Sequence, residues 1–163
     1  MHRRTRKSLA PPIVLRTYAD VRKLRSTWTA SFERGGYRER NRKVIAFKWS
    51  RADGTSAYMK KALPLLHHAV RAHFTVTTPD YNMRNSCGAG INVASADWVA
   101  YETKRPYCDM AIWQIEFTMW DIVAIPFNTD GKMRVECAVI THKVARPKLL
   151  RIKNGTEPAG SVI

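Results

Sequence analysis

The sequence predicts an α+β domain with a mostly antiparallel sheet of five or six short strands, two or three helices and basic terminal extensions. Three observations predict this class. Residues 21–32 repeat apolar side chains every three or four positions, which is helical spacing, whereas residues 110–118 alternate in the manner of a strand. Residues 128–131 (NTDG) form a hairpin-type turn between two apolar runs, which favours antiparallel pairing.

The first predicted element is an amphipathic helix. Thr17 is expected to cap it, with Asp20 three residues later in the place of a capping-box acid. Its apolar face consists of Val21, Leu24, Trp28 and Phe32. Its basic side consists of Arg22, Lys23 and Arg25. Gly35 and Gly36 are expected to end the helix, so that one side packs on a core and the other faces solvent.

The rest of the chain reads as strands with a short helix between them. The predicted strands are residues 44–49, 74–78, 91–93, 110–118, 121–126 and 133–141. Ser95 is expected to cap a helix that runs to about Glu102, with Asp97 in its first turn, where a negative charge is favoured. Residues 62–73 fit either a helix or a loop, because Pro64 is compatible with both.

Charge divides the chain into segments. The 163 residues carry 28 Lys and Arg against 13 Asp and Glu, a net charge of +15. Residues 1–43 hold 13 basic and three acidic side chains, residues 44–140 hold ten and nine, and residues 141–163 hold five and one. The predicted divisions are a basic N-terminal arm at 1–12, an amphipathic helix and basic loop at 13–43, an α+β core domain at 44–142 and a basic C-terminal extension at 143–163.

Cysteine and histidine usage predicts neither a disulfide framework nor a zinc site. The three cysteines, Cys87, Cys108 and Cys137, are odd in number and form no C-x-x-C pair. The five histidines lack paired ligand spacing. We expect Cys87 to be packed, and we expect no metal ion and no cofactor to be bound. The expected location is a reducing compartment such as the host cytoplasm, or a virion. The longest apolar-leaning runs are too short to cross a bilayer, so we expect no membrane partner.

Concentrated charge at both ends predicts a polyanionic partner, with nucleic acid preferred to a merely solvated tail. Lys and Arg on such segments neutralise phosphates and release counterions, which gives affinity that does not depend on sequence. No base-reading motif is present, so binding is expected to be sequence-tolerant, and the choice between DNA and RNA stays open. The predicted contacts are Arg3, Arg4, Arg6, Lys7, Arg22, Lys23, Arg25, Arg38, Arg40, Arg42, Lys43, Arg146, Lys148, Arg151 and Lys153, with Tyr37 as a possible stacking residue.

Residues 87–102 and 112–140 carry a family resemblance. They resemble a phage-encoded domain of unknown function found in proteins similar to the B-type rapid-lysis protector of tailed phages, over about residues 44–141. The pattern C-x-x-G-[LI]-x-V, then D-[VI]-V-x-[VI]-P, then K-M-R-V is matched here by Cys87, Gly90, Val93, Asp121, Ile122, Val123, Pro126, Lys132, Met133, Arg134 and Val135. Asn92 stands where the family usually has histidine. The resemblance implies a phage accessory protein and brings no known activity.

Two alternatives stay open beside nucleic-acid binding. The glycine-bearing turn and strand at 87–93 are faintly similar to the nicotinamide-cradling segment of NAD-dependent ADP-ribosyltransferases, with Asn92 and Tyr101 as binding residues and Glu116 as the acid. We prefer local structural roles for these three residues and expect no catalytic residue, because such residue types are common and no P-loop, G-x-S-x-G or H-E-x-x-H motif occurs. The other alternative is a structural component of a virion or ribonucleoprotein, whose arms thread between neighbours.

Overall fold

The computed structural model describes residues 11–33, 43–52, 73–104, 110–127, 129 and 131–159. Over these residues the chain forms one eight-stranded sheet and three α-helices. The helices are α1 (Tyr18–Glu33), α2 (Ala96–Glu102) and α3 (Arg146–Lys153). The strands are β1 (Ile13–Val14), β2 (Lys43–Arg51), β3 (His73–Thr75), β4 (Ile91–Ala94), β5 (Met110–Thr118), β6 (Ile122–Ala124), β7 (Lys132–Val135) and β8 (Cys137–Val144). The predicted α+β class is confirmed.

The sheet is organised around a long central pair. Its order is β3-β8-β5-β2-β4-β7-β6, and all these pairs are antiparallel. Strands β2 and β5 form a nine-residue ladder from Lys43↔Thr118 to Arg51↔Met110. The two-residue β1 pairs in parallel with the start of β2. The predicted strand at 110–118 therefore lies at the centre of the sheet with the bounds that its alternation indicated.

The predicted single strand at 133–141 is two strands, divided at Glu136. The N–H of Glu136 donates to the carbonyl of Asp121 at 2.8 Å, and its carbonyl accepts the N–H of Val76 at 2.8 Å. On one side of this residue β7 pairs with β4 and β6, and on the other side β8 pairs with β5 and β3. One residue thus joins strands that are separated by three others in the sheet, so the sheet must curl strongly. This split and β1 account for eight strands where six runs were predicted.

Both faces of the sheet are covered. Val21 and Leu24 of α1 pack against Val44 and Ala46 of β2 in one apolar cluster. The adjacent β2 residues Ile45 and Phe47 point to the opposite face and belong to a second cluster beneath α2 and α3. Burying these side chains stabilises the fold by roughly 1.5–3 kcal/mol for each large aliphatic or aromatic group.

Two of the predicted helix caps are confirmed. At the start of α1 the backbone N–H of Thr17 donates to Asp20 Oδ2 at 2.7 Å, and the N–H of Asp20 donates to Thr17 Oγ1 at 3.3 Å. At the start of α2 Ser95 Oγ accepts the N–H of Trp98 at 3.3 Å. Each contact satisfies a backbone donor that the first helical turn leaves without an intrahelical partner.

The predicted C-terminal extension is largely part of the fold. β8 continues to Val144, and α3 follows with Leu149 and Ile152 fully buried in the cluster beneath α2 and α3. The segment is therefore not a free arm over residues 143–159. Its two buried apolar side chains lie among four basic ones, which made the sequence look like a solvated tail. The core also extends upstream of residue 44, because Leu15 and α1 contribute to it.

Candidate nucleic-acid interface

The fifteen predicted contact residues divide into two groups. Seven of them lie outside the described residues: Arg3, Arg4, Arg6, Lys7, Arg38, Arg40 and Arg42. The other eight lie on α1, at the start of β2 and on α3: Arg22, Lys23, Arg25, Lys43, Arg146, Lys148, Arg151 and Lys153. Helices α1 and α3 are on opposite faces of the sheet, so the structure does not bring the eight residues together on one surface.

The basic residues of α3 are largely engaged with acids of the same chain. Arg151 Nε lies 2.6 Å from Glu157 Oε2, and Lys148 Nζ lies 3.6 Å from Glu157 Oε1. These two partners hold the pKa of Glu157 below its usual value, chiefly through the hydrogen bond from Arg151. Lys153 pairs with Asp97 of α2 at 3.1 Å. Much of the charge that the sequence assigned to a C-terminal arm is thus used to hold α3 in place.

Arg25 also has an internal role. Its Nη2 donates to the carbonyls of Ile125 and Pro126, at 3.2 and 2.5 Å, which ties α1 to the segment that follows β6. The guanidinium carbon lies 5.7 Å from the ring centroid of Phe127. Arg25 is therefore a bridging group within the fold and not a side chain free to follow a phosphate backbone.

The solvent-facing side of α1 keeps its charge exposed. Arg22 and Lys23 are exposed, whereas Val21 and Leu24 are buried on the opposite side of the helix. The guanidinium of Arg22 lies 4.7 Å above the ring of Tyr18, one turn earlier. The predicted division of this helix into an apolar and a basic side is confirmed for these residues.

Two exposed aromatic side chains lie on segments that Arg25 and Phe127 link to this helix, and sequence reasoning missed both. Phe127 is 58% exposed and Tyr81 is 65% exposed. The N–H of Phe127 donates to the carbonyl of Met83 at 3.1 Å, so residues 80–90 lie against the segment that Arg25 holds. Arg84, also exposed, follows Met83 directly. We call Tyr18, Arg22, Lys23, Phe127, Tyr81 and Arg84 the α1 surface.

Residues 80–90 are folded around a buried arginine. The fully buried Arg134 donates to the carbonyls of Asp80 and Asn85, the latter at 2.7 Å, and its Nη1 lies 3.7 Å from Asp80 Oδ2. The backbone N–H of Asn82 and the side chain of Asn85, together with Arg134, lower the pKa of Asp80. Gly90 has a φ of +134°, and a Cβ there would lie 2.6 Å from Arg134 Cγ. This packing fixes the segment that carries Tyr81.

Cys87 lies at the end of the same segment beside two lysines. The expectation that it is packed is wrong, because the residue is exposed on the turn that surrounds Arg134. Lys132 Nζ donates to Cys87 Sγ at 3.3 Å and lies 4.8 Å from the ring centroid of Trp98. Burial, with a contribution from Lys132, lowers the pKa of Lys48 to about 8.

Two of the three residues of the ADP-ribosyltransferase alternative, Asn92 and Glu116, are far apart. Glu116 pairs with Ile45 on β2, whereas β2 meets β4 at Phe47↔Ala94, so Asn92 lies beyond that point in the direction away from Glu116. The offset is about four residues along the strands, or roughly 13 Å. Local roles account for two of the residues. Asn92 Nδ2 donates to the Gly88 carbonyl at 3.0 Å, and Glu116 pairs with Lys43 at 3.1 Å.

Within the described ranges, no group of three or more His, Cys, Asp and Glu side chains is arranged to hold a metal ion. Among the three helices described, none is both long and apolar enough to cross a membrane. Comparison of the chain with protein-family models, with curated proteins and with solved structures gave no significant match.

Proposed function

We propose that this protein binds nucleic acid in a sequence-tolerant manner, without catalysing a reaction, through the α1 surface and the basic segments on either side of α1. The observation that carries the proposal is the charge of residues 1–43, which contain 13 basic side chains and only three acidic ones. Within this region Arg22 and Lys23 are exposed on a helix whose other side is anchored in the core.

The position of α1 makes it a junction between two basic segments. Residues 1–12 precede it with four basic side chains, and residues 34–43 follow it with five. Both segments are therefore tethered to the ends of one anchored helix. Cations held in this way raise the local concentration of a polyanion near the α1 surface, and each phosphate that they neutralise releases a counterion.

The charge balance supports a phosphate backbone as the partner and gives no reason for a preferred base sequence. Exposed Lys and Arg contact phosphates irrespective of the base, whereas sequence is read by side chains that reach the base edges in a groove. The likeness of residues 44–141 to a phage-encoded domain stays a prediction, as does the host cytoplasm or virion as location. Together they suggest an accessory protein of a phage or nucleoprotein assembly.

A salt titration tests the proposal. Binding of the full chain to fluorescently labelled DNA and RNA of mixed sequence is measured by anisotropy at increasing salt. We expect the logarithm of the association constant to fall linearly with the logarithm of the salt concentration, with little difference between sequences. Affinity that barely changes with salt would refute the proposal.

A charge-matched pair of variants locates the interface. Arg22→Gln combined with Lys23→Gln removes two charges from the α1 surface, whereas Lys104→Gln combined with Lys143→Gln removes two exposed charges elsewhere. We expect the first variant to lower affinity and to reduce the salt slope by about one to two phosphate contacts. Equal losses in both variants would show that only the net charge matters and would overturn the assignment to α1.

A further inference from the structure

Phe127 is exposed but its position is fixed. Ile125 and Pro126, directly before it, are buried, and Arg25 holds both of their carbonyls. The Phe127 N–H is bonded to the Met83 carbonyl. A single exposed apolar side chain is ordinary on a protein surface. An exposed aromatic ring whose backbone is held by hydrogen bonds is less ordinary. Such a ring presents a flat apolar face, and the backbone that carries it loses little conformational entropy on binding.

The surroundings of the ring are basic. The Arg25 guanidinium lies 5.7 Å from the ring centroid, and Arg22 lies one helical turn away on the exposed side of α1. Exposed Arg84 and the 65%-exposed Tyr81 are within two residues of the Met83 contact. This arrangement matches the two needs of an unpaired strand. Phe127 offers a stacking partner for a base, and the exposed Arg22 and Arg84, which are not engaged as Arg25 is, offer positive charge for the phosphates.

We propose that Phe127 is a base-stacking site that selects single-stranded over double-stranded nucleic acid. This inference rests on the proposed nucleic-acid binding and adds the class of substrate to it. A ring can stack only on a base whose face is free, and in a duplex those faces are already stacked on one another. The cations contact the phosphates of both forms, so the Phe127 ring supplies the difference between the two affinities.

The test compares variants of the full chain on a labelled oligothymidylate and on a labelled DNA hairpin of similar length, whose two strands are joined by a non-nucleotide linker so that it has no unpaired bases. Phe127→Ala is expected to weaken oligothymidylate binding about tenfold, and to leave hairpin binding and the salt slope unchanged because no charge is removed. Phe127→Trp is expected to retain binding, because a larger ring also stacks. Thermal unfolding of each variant checks that an exposed substitution has left the fold intact.

The matched control is Tyr101→Ala. Tyr101 is 63% exposed and has Lys104 at 6.0 Å from its ring, but it lies on α2, on the other face of the sheet. We expect this variant to bind the oligothymidylate like the parent. Equal losses in the Tyr101 and Phe127 variants, or an equal loss on the hairpin, would overturn the stacking site.

Two further outcomes separate this inference from the function on which it rests. If the parent protein binds neither DNA form and no RNA of mixed sequence, both proposals fail. If the parent binds both forms and Phe127→Ala binds like the parent, the nucleic-acid proposal stands and the stacking site fails. Polyglutamate that competes as well as oligothymidylate at equal charge would assign the α1 surface to an acidic protein segment instead, and would overturn the choice of partner.

Discussion

Lys48 and Asn92 are joined by a hydrogen bond between neighbouring strands, in which Lys48 Nζ donates to the Asn92 carbonyl at 2.8 Å. Strands β2 and β4 pair at one position only, Phe47↔Ala94. Beyond that pair the ammonium group supplies a donor to a β4 carbonyl that β2 does not reach. The lysine thus links the two strands, and it does so with a charge that burial disfavours.

This arrangement predicts a stability that rises with pH in the alkaline range. Burial lowers the pKa of Lys48 from 10.5 to about 8, so the folded protein releases this proton before the unfolded chain does. The unfolded state binds more protons between these two values, and the free energy of unfolding therefore increases with pH there. From about pH 7 to about pH 9.5 we expect a gain of about 2 kcal/mol from this group, with about 3 kcal/mol as the upper limit.

Urea unfolding of the parent and of Lys48→Met at both pH values measures this gain. Other groups also titrate in this range, so the relevant quantity is the difference between the two proteins, which should move in favour of the parent as pH rises. Lys43→Met is the control, because Lys43 is an exposed lysine on the same strand. A difference that stays constant with pH would show that Lys48 titrates like a solvent-exposed lysine.

Local features of this fold could be predicted from sequence, and long-range ones could not. The caps at Thr17 and Ser95 depend on residues within three positions of one another, and the sequence identified both. The division at Glu136 depends on contacts with Asp121 and Val76, and the alternation of apolar residues continues across it without a break. The spacing of apolar residues along the sequence indicates which residues share a face of the sheet, but not where a strand changes its pairing partners.

In the candidate interface, too, the features that depend on long-range contacts could not be predicted from the sequence. The excess of charge in residues 1–43 is a property of the sequence, but the pairing of Lys153 with Asp97 joins positions 56 residues apart. The exposure of Phe127 could not be predicted from the sequence either, because the short apolar run in which it lies is typical of the end of a strand. Sequence therefore indicated the class of partner, whereas the fold determined which cations and rings face solvent.

Loss of the Arg134 side chain should loosen residues 80–90. Arg134→Met removes the hydrogen bonds to the carbonyls of Asp80 and Asn85 and leaves both acceptors without this donor. We expect the free energy of unfolding to fall by about 2–3 kcal/mol. Hydrogen exchange should accelerate in residues 80–90 before it does in β2 and β5.

Lys132→Met provides the comparison for this prediction. Lys132 lies two residues earlier on β7, and its ammonium contacts Cys87 at the exposed end of the same segment. Removing it leaves the buried contacts of Arg134 in place, so we expect a change within about 0.5 kcal/mol. Similar exchange rates in the two variants would mean that Arg134 does not hold the segment.

The polar side chain of Gln114 is expected to lower the stability of the folded protein. The residue is fully buried, and neither Oε1 nor Nε2 has a hydrogen-bond partner. Gln114→Met keeps a similar volume and removes both unsatisfied groups, so we expect the free energy of unfolding to rise by about 1 kcal/mol. A loss of stability on urea unfolding would indicate instead that the amide holds a polar occupant such as an internal water.

The cross-strand partner of Gln114 is His142. The surroundings of His142 predict that the protein loses stability at mildly acidic pH. Burial lowers the pKa of His142 below 6.5, and Lys148 lowers it further, while Glu116 acts in the opposite direction. As pH falls below 6.5, the unfolded chain takes up the proton before the folded one, so the free energy of unfolding decreases until the folded pKa is reached. His142→Gln should lose less stability than the parent between about pH 7 and about pH 5.

Nuclear magnetic resonance titration tests the cause of the lowered His142 pKa directly. The imidazole signal is assigned by its absence from the spectrum of His142→Gln. Lys148→Met removes the nearby cation and is expected to raise the midpoint, whereas Glu116→Gln removes the opposing anion and is expected to lower it further. If both variants leave the midpoint unchanged, burial alone sets the pKa, and the acid sensitivity would then persist in Lys148→Met at the strength of the parent protein.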